Sequence, residues 1–314
     1  MITRDDVAEA DRRIDGWIRR TPVIDAAPGL RFKLEYLQHS GSFKARGAFN
    51  RILAAREAGE LPETGVVTAS GGNAGLAVAY AAGRLGVRAE VFVPVTAPAV
   101  KLRRLRELGA TVQQHGREYA EAYAASTVRV AETGALFCHA YDQPEIVAGQ
   151  GTLGAELPDD IDTVLVAVGG GGLVAGVVAG SPAAKVVAVE PLGAPTLHRA
   201  LAAGGPVDVP VDSIAADALG ARRLGTIAFE VLASAVTSVL VSDDAIVAAR
   251  QRLWHEHRIA VEHGAAAAYA ALDAGVYVPE PHERVLVVLC GANTDPATLA
   301  PEPQTETEAQ VSRC

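Results

Sequence analysis

The chain has very little cysteine: Cys138, Cys290 and Cys314 in 314 residues. An odd number without metal-ligand spacing provides neither a disulfide framework nor a zinc-type site, and it predicts a reducing, cytoplasmic setting. Long apolar runs are also missing. Glycine or charge breaks each one well before the roughly 20 residues that a membrane span needs, so no membrane partner is expected. Positive charge is in deficit, with 28 Lys and Arg against 37 Asp and Glu and a net charge of −9, which argues against nucleic acid as a partner. The first twenty residues, MITRDDVAEADRRIDGWIRR, carry no apolar core and do not read as a signal peptide. No P-loop and no repeat of fixed period occurs.

What is present is a globular composition, 49% hydrophobic and 21% charged, in a chain long enough for two modest domains. The N-terminal segment predicts an amphipathic helix. Thr3 and Asp6 fit a capping box, and Val7, Ile14, Trp17 and Ile18 share a face. From Gly65 onward strand and helix patterns alternate: VVTAS then GLAVAYAAGRLG, VRAEVFVPV then APAVKLRRLRELG, ATVQQHG then EYAEAYAASTVRVAETG. TVLVAV at 163–168, AKVVAVEP and ERVLVVLC are continuous apolar runs, as expected of parallel strands covered on both faces. The expected class is α/β, with open, mostly parallel twisted sheets. GGPVDVPVDS at 204–213 predicts a surface loop, and the polar segment 301–314 predicts a disordered tail.

Four local patterns carry chemistry. SGSFKARGA at 40–48 reads equally well as an ordinary helix start, with Ser42 as cap and Lys44 and Arg46 in water, or as a lysine held for reaction. In TASGGNAGLAVAYAA at 68–82 a strand runs through a glycine turn into a helix, where free backbone N–H groups bind an anion. Backbone geometry accounts for Gly71 and Gly72 there, but not for Asn73. In TVLVAVGGGGLVAG at 163–176, four glycines stand between a buried strand and an apolar helix, a place for a phosphate cradle rather than a linker. VLVVLCGAN at 285–293 places Cys290 at the carboxyl end of another strand, where a core cysteine is the simpler reading. Gly149-Gln150-Gly151-Thr152-Leu153-Gly154 matches the spacing of a dinucleotide loop. YDQPEIVA precedes it instead of a strand, so a dehydrogenase is a poor reading.

In this order, from about Arg20 to Asp295, the patterns resemble the fold-type II pyridoxal-phosphate (PLP) enzymes, specifically the serine/threonine dehydratases, with the two-domain fold of tryptophan synthase β. PVTAPAVKLRRLRELGATV and AYDQPEIVAGQGTLGAEL are also similar to family segments. The resemblance implies that Lys44 holds pyridoxal 5'-phosphate as a Schiff base and acts as the base at Cα. It puts Phe43 and Ala218 against the two ring faces, Asn73 at the phenolic oxygen and Cys290 at the ring nitrogen. Gly169, Gly170, Gly171 and Gly172 would bind the phosphate, and Ser70, Gly71, Asn73 and Ala74 the substrate. It further implies a large domain of residues 1–36 and 136–300, a small mobile domain of residues 37–135, a homodimer, and a small amino-acid substrate such as L-serine or L-threonine. A serine racemase, a lyase for another 3-hydroxy amino acid such as 3-hydroxyaspartate, and a non-catalytic PLP or amino-acid binder are the alternatives.

Four departures bear on the activity. Racemases of this family carry a serine where Gly71 stands, and glycine has no side chain to move a proton. The divalent-metal pattern of the family has an Asp six residues after Glu190, where this chain has Thr196. The resemblance then implies a monovalent cation such as K+ at Glu190 and the carbonyls of Ala194, Leu219 and Ala221. His263 replaces a proline of the family in VEHGAAA and is expected to contact backbone at a helix start, with Glu262 near the cofactor. The stretch between Thr21-Pro22 and Arg31 is short, which predicts a trimmed loop near the site entrance.

Overall fold

The computed structural model describes residues 1–181 and 185–299; the predicted tail and Cys314 lie outside them. The strands are β1 (Val23–Ala27), β2 (Leu30–Lys33), β3 (Val66–Ala69), β4 (Ala89–Val93), β5 (Thr111–Gln114), β6 (Leu136–Phe137), β7 (Thr163–Ala167), β8 (Lys185–Pro191), β9 (Val236–Val241) and β10 (Val285–Val288). The helices are α1 (Arg4–Ile14), α2 (Lys44–Glu57), α3 (Asn73–Arg84), α4 (Ala99–Glu107), α5 (Tyr119–Thr133), α6 (Pro144–Ala155), α7 (Gly172–Gly180), α8 (Thr196–Ala203), α9 (Ala216–Leu219), α10 (Thr226–Leu232), α11 (Asp243–His257) and α12 (His263–Asp273).

Two sheets result. One has the order β1-β2-β10-β7-β8-β9, the other β5-β4-β3-β6. Among the described strands only the β1–β2 pair is antiparallel; the remaining pairs are parallel. The fold is therefore α/β with mostly parallel sheets. The continuous apolar runs explain this: β7, β10 and nearly all of β8 are buried along their length, which requires helices on both faces. In the smaller sheet the two faces divide by strand periodicity. Val66, Val91 and Val93 join one cluster, and Val67, Ala69 and Phe92 another.

In the larger sheet β7 leads through α7 to β8 on one side, while β10 lies on its other side. The chain thus reverses its winding at β7, and the crevice at the carboxyl ends of β7 and β10 is where open α/β sheets bind ligands. The tetraglycine follows β7 and Cys290 follows β10.

Three expectations need correction or sharpening. Thr3 and Asp6 do form the capping box, but α1 ends at Ile14. Gly16, at φ +76°, turns the chain before Trp17, which packs on Phe49 with ring centroids 5.8 Å apart. The short stretch after Thr21-Pro22 is not at the site entrance. It is the β1–β2 hairpin, and its tip lies beside Val285 at the amino ends of the parallel strands, opposite the end that carries Cys290. The dinucleotide-like glycines sit inside α6 and permit close helix packing. A Cβ on Gly176 of α7 would stand 2.5 Å from the Gly151 nitrogen.

Candidate functional site

Lys44 is the first residue of α2. Two consecutive left-handed residues, Ser40 (φ 60°) and Gly41 (φ 77°), deliver the chain to it. The segment is tied to the exit of β10: Phe43 N donates to Cys290 O at 3.0 Å, and Ala292 N donates to Gly41 O at 2.9 Å. Lys44 therefore has a fixed root. Its Nζ donates to the Ala140 carbonyl at 2.6 Å and lies 4.9 Å from the Phe43 ring centroid. Burial lowers the amine to about 8, with the Glu262 carboxyl opposing the shift.

The reading of Arg46 as a solvated neighbour fails. Arg46 is fully buried, donating to Glu35 at 2.7 and 3.0 Å, to Glu156 at 2.8 Å and to Thr152 at 3.0 Å. Lys33 completes the cluster through Glu156 at 2.5 Å. These four charges lock the start of α2 onto α6 and the residues around β2.

The glycine loop is built to receive an anion. Gly171 sits at φ +87° before α7, and a Cβ on Gly170 would stand 2.4 Å from the Tyr141 ring. The amides of Gly169 to Gly172 have no hydrogen-bond partner among the described residues, and they point from the first turn of α7. A second unpartnered set, Gly71, Asn73 and Ala74, opens α3, while Gly72 N donates to Ser70 Oγ at 3.2 Å. Phe43, Lys44, Asn73, Gly169 to Gly172, Ala218 and Cys290 line one enclosed cavity. Ala74 and Ser70 lie on the adjoining turn. Larger grooves elsewhere lie on the outer surface around Arg252 and Arg4.

The motifs single out neither Tyr141 at the cavity nor Asn293 behind Asn73, whereas Glu262 is expected near the cofactor. Tyr141 covers the glycine loop; its only signal was its place in AYDQP. Asn293, the last letter of CGAN, donates to Asn73 Oδ1 at 2.6 Å and to Ser40 O at 2.9 Å. Glu262 lines the cavity and accepts from Asn73 Nδ2 at 2.6 Å. Asn73 is thus oriented from both ends of its amide. Burial raises Glu262 to about 7, opposed by the Asn73 hydrogen bond. Burial also raises the Cys290 thiol, which stays neutral. Ser40 Oγ, Ser42 Oγ and Asn293 Oδ1 are buried without a partner.

Glu190 is fully buried beside this loop and caps α8. Its carboxylate accepts from Leu197 N at 2.7 Å, His198 N at 2.8 Å and Thr196 Oγ1 at 3.0 Å. Thr196 Oγ1 also lies 2.6 Å from Gly169 O, so its single proton is shared between that carbonyl and Glu190. Leu219 packs against Gly169, while Ala194 O accepts from Thr196 N and Ala221 follows α9. Burial outweighs the hydrogen bonds and raises Glu190 to about 7. No group of three or more His, Cys, Asp or Glu able to hold a metal occurs among the described residues. His263 opens α12 away from the cavity, its Nε2 3.5 Å from Arg250 Nη1, and burial and Arg250 lower its pKa.

The donor set fits PLP: a half-buried lysine of lowered pKa for the aldehyde, a row of free amides for the phosphate, and apolar groups between them. Comparison with known proteins agrees. The sequence pattern of the family described as pyridoxal-phosphate dependent enzyme matches residues 14–291. The chain is 38% identical to a phenylserine dehydratase of Ralstonia pickettii, covering 94% of each. It is 36% identical to an L-threonine ammonia-lyase of Geobacter sulfurreducens, covering 94% of this chain and 76% of that one. The solved structure of maize serine racemase superposes with a TM-score of 0.88 at 31% identity, covering 99% and 97% of the two chains. No helix among the described residues is long and apolar enough to cross a membrane. The chain belongs to the fold-type II PLP-dependent serine/threonine dehydratase family, and pyridoxal 5'-phosphate is its cofactor.

Proposed function

We propose that the chain is an ammonia-lyase that converts L-serine, L-threonine or both to a 2-oxo acid and ammonia by β-elimination. The observation that carries this is the desolvated Lys44 amine enclosed with a row of unpartnered glycine amides. When bound, PLP supplies the electron sink for the electrons left as the Cα–H bond breaks. Lys44 anchors the cofactor and then takes the Cα proton, which its lowered pKa permits near neutral pH. Gly169 to Gly172 hold the phosphate. Phe43 and Ala218 cover the ring faces. Asn73, held by Glu262 and Asn293, presents its amide to the phenolic oxygen. The neutral Cys290 thiol puts no negative charge beside the ring nitrogen. Ser70, Gly71 and Ala74 hold the substrate carboxylate at the start of α3.

Racemization is the second reading, because the relatives include serine racemases. Gly71 disfavours it, since no side chain at that position can carry a proton to the opposite face of Cα. A monovalent cation at Glu190 would have to share the carboxylate with the Thr196, Leu197 and His198 donors. A cytoplasmic homodimer, with residues 37–135 closing as a lobe on the rest, belongs to the same proposal.

The test is a panel of L-3-hydroxy amino acids assayed for 2-oxo acid release, with chiral analysis of recovered serine. Turnover with little D-serine is expected. Absence of turnover on every member contradicts the dehydratase reading, and abundant D-serine contradicts the role of Gly71.

A further inference from the structure

Helix α11 buries Ile246, Ala249, Arg250 and Leu253, the spacing of a core-facing helix surface. Three of them are apolar; the other is an arginine only 4% exposed. A guanidinium taken out of water normally meets a carboxylate, as Arg46 meets Glu35 and Glu156. The partners of Arg250 among the described residues are neutral instead. Its Nε donates to the Val261 carbonyl at 2.8 Å. Its Nη2 donates to Thr294 Oγ1 at 3.0 Å and to Thr298 Oγ1 at 2.7 Å. Its Nη1 donates to the Thr298 carbonyl at 3.3 Å and faces His263 Nε2 at 3.5 Å. A guanidinium offers only donors, so His263 presents a bare Nε2 to it.

The fork reaches the two segments that hold Asn73. Val261 precedes Glu262, whose carboxyl accepts from Asn73 Nδ2 at 2.6 Å and whose amide donates to Gly291 O at 3.1 Å. Thr294 follows Asn293, whose side chain donates to Asn73 Oδ1 at 2.6 Å. Asn73 Nδ2 gives one proton to Glu262, and its other proton has no partner among the described residues. Where that second proton points depends on Glu262 and Asn293 keeping their relative places. A sliding of one segment against the other would turn the Asn73 amide in the cavity. Misplacing a group by about 1 Å at a reacting centre can cost ~10²-fold in rate.

We infer that Arg250, which does not line the cavity, is a positioning residue: its fork clamps Val261 to the 294–298 segment and so aims the Asn73 amide at the cofactor's phenolic oxygen. The kinetic part of this inference rests on the ammonia-lyase reading; the part that concerns bound cofactor does not. The fork acts through its shape. Lysine would keep the charge, but its donors sit at one point and cannot span both segments.

The test uses holoenzyme carrying Arg250→Met, Arg250→Lys, Asn73→Ala, or Arg250→Met together with Asn73→Ala. One readout is kcat on L-threonine, or on another 3-hydroxy amino acid that turns over. The other is the absorption spectrum of bound PLP, which follows protonation of the phenolic oxygen. Arg250→Met should lower kcat about tenfold or more and shift the spectrum in the same direction as Asn73→Ala, and Arg250→Lys should do likewise. Once Asn73 is alanine, adding Arg250→Met should cost less than about twofold, because the group it aims is gone. Thr294→Val with Thr298→Val removes acceptors from one segment only. It should give the same pattern in smaller measure, and it carries the test if Arg250→Met does not fold. Full rescue by Arg250→Lys, an unchanged spectrum, or losses that multiply in the double variant would overturn the inference. If no substrate yields a 2-oxo acid, the lyase reading fails and the spectrum alone decides the role of Arg250.

Discussion

Lys33 is fully buried and Lys44, eleven residues on, is partly buried, and burial lowers the pKa of each. Their surroundings differ. Lys33 meets a carboxylate, Glu156, and the Thr21 carbonyl at 2.8 Å. It sits in a cluster where Arg46, Glu35 and Glu156 match charge for charge. Lys44 meets only a carbonyl, and around it lie unpartnered amides and the orphaned oxygens of Ser40, Ser42 and Asn293. Buried polar groups left unpaired are costly. A fold that pairs every charge of the cluster behind α2 and leaves groups unpaired around Lys44 holds its shape on one side and awaits a ligand on the other.

The comparison can be broken at several points. Lys44→Ala should reduce turnover roughly 10³-fold or more, since it removes both anchor and base. Stopped assays on 2-oxo acid release measure this, and retention of a tenth of the activity would transfer the role elsewhere. Arg46→Ala should destabilise the apoprotein by about 3–5 kcal/mol, because it strands Glu35 and Glu156 without their partner. Urea midpoints measure this, and a loss under ~1 kcal/mol would mean that the cluster does not secure α2.

Glu262 sharpens the contrast through pH. Its folded pKa, about 7, lies above the ordinary 4.5. Between those values the native state holds a proton that the unfolded chain has released. Apoprotein stability should therefore fall as pH rises through that window. Glu190, raised for the same reason, contributes in the same direction. Glu262→Gln should remove one of the two contributions and flatten the slope between pH 5 and 7.5 in denaturation curves; an unchanged slope would show that Glu262 is ionised throughout. The smallest effect is expected at Gly71. A Cβ there would meet Val93 Cγ1 at 3.4 Å, an ordinary contact, so Gly71→Ser should fold. It should also raise D-serine formation severalfold over the wild type by chiral chromatography, and no rise would remove this position from control of racemization.

The sequence showed one half of the Lys33–Lys44 comparison more clearly than the other. Strand and glycine patterns are local, so the parallel strands, the tetraglycine and the α3 turn could all be read from short windows. Partnerships across the chain could not. Asn73 meets Glu262 across 189 residues and Asn293 across 220. Arg46 meets Glu156 across 110, so its SFKARG context looked like a solvated surface. Tyr141 acquires its place only when α7 packs beneath it. The hairpin after Pro22 was misplaced because a short loop carries no signal for which end of a sheet it occupies.

The central claim is that Lys44, and not its buried neighbour, carries the cofactor. The chain has four lysines, Lys33, Lys44, Lys101 and Lys185, which makes the test clean. Borohydride reduction of the PLP-loaded protein, followed by peptide mapping, should place the phosphopyridoxyl label on the peptide containing Lys44. A label on Lys33, Lys101 or Lys185, or no label at all, would contradict the account.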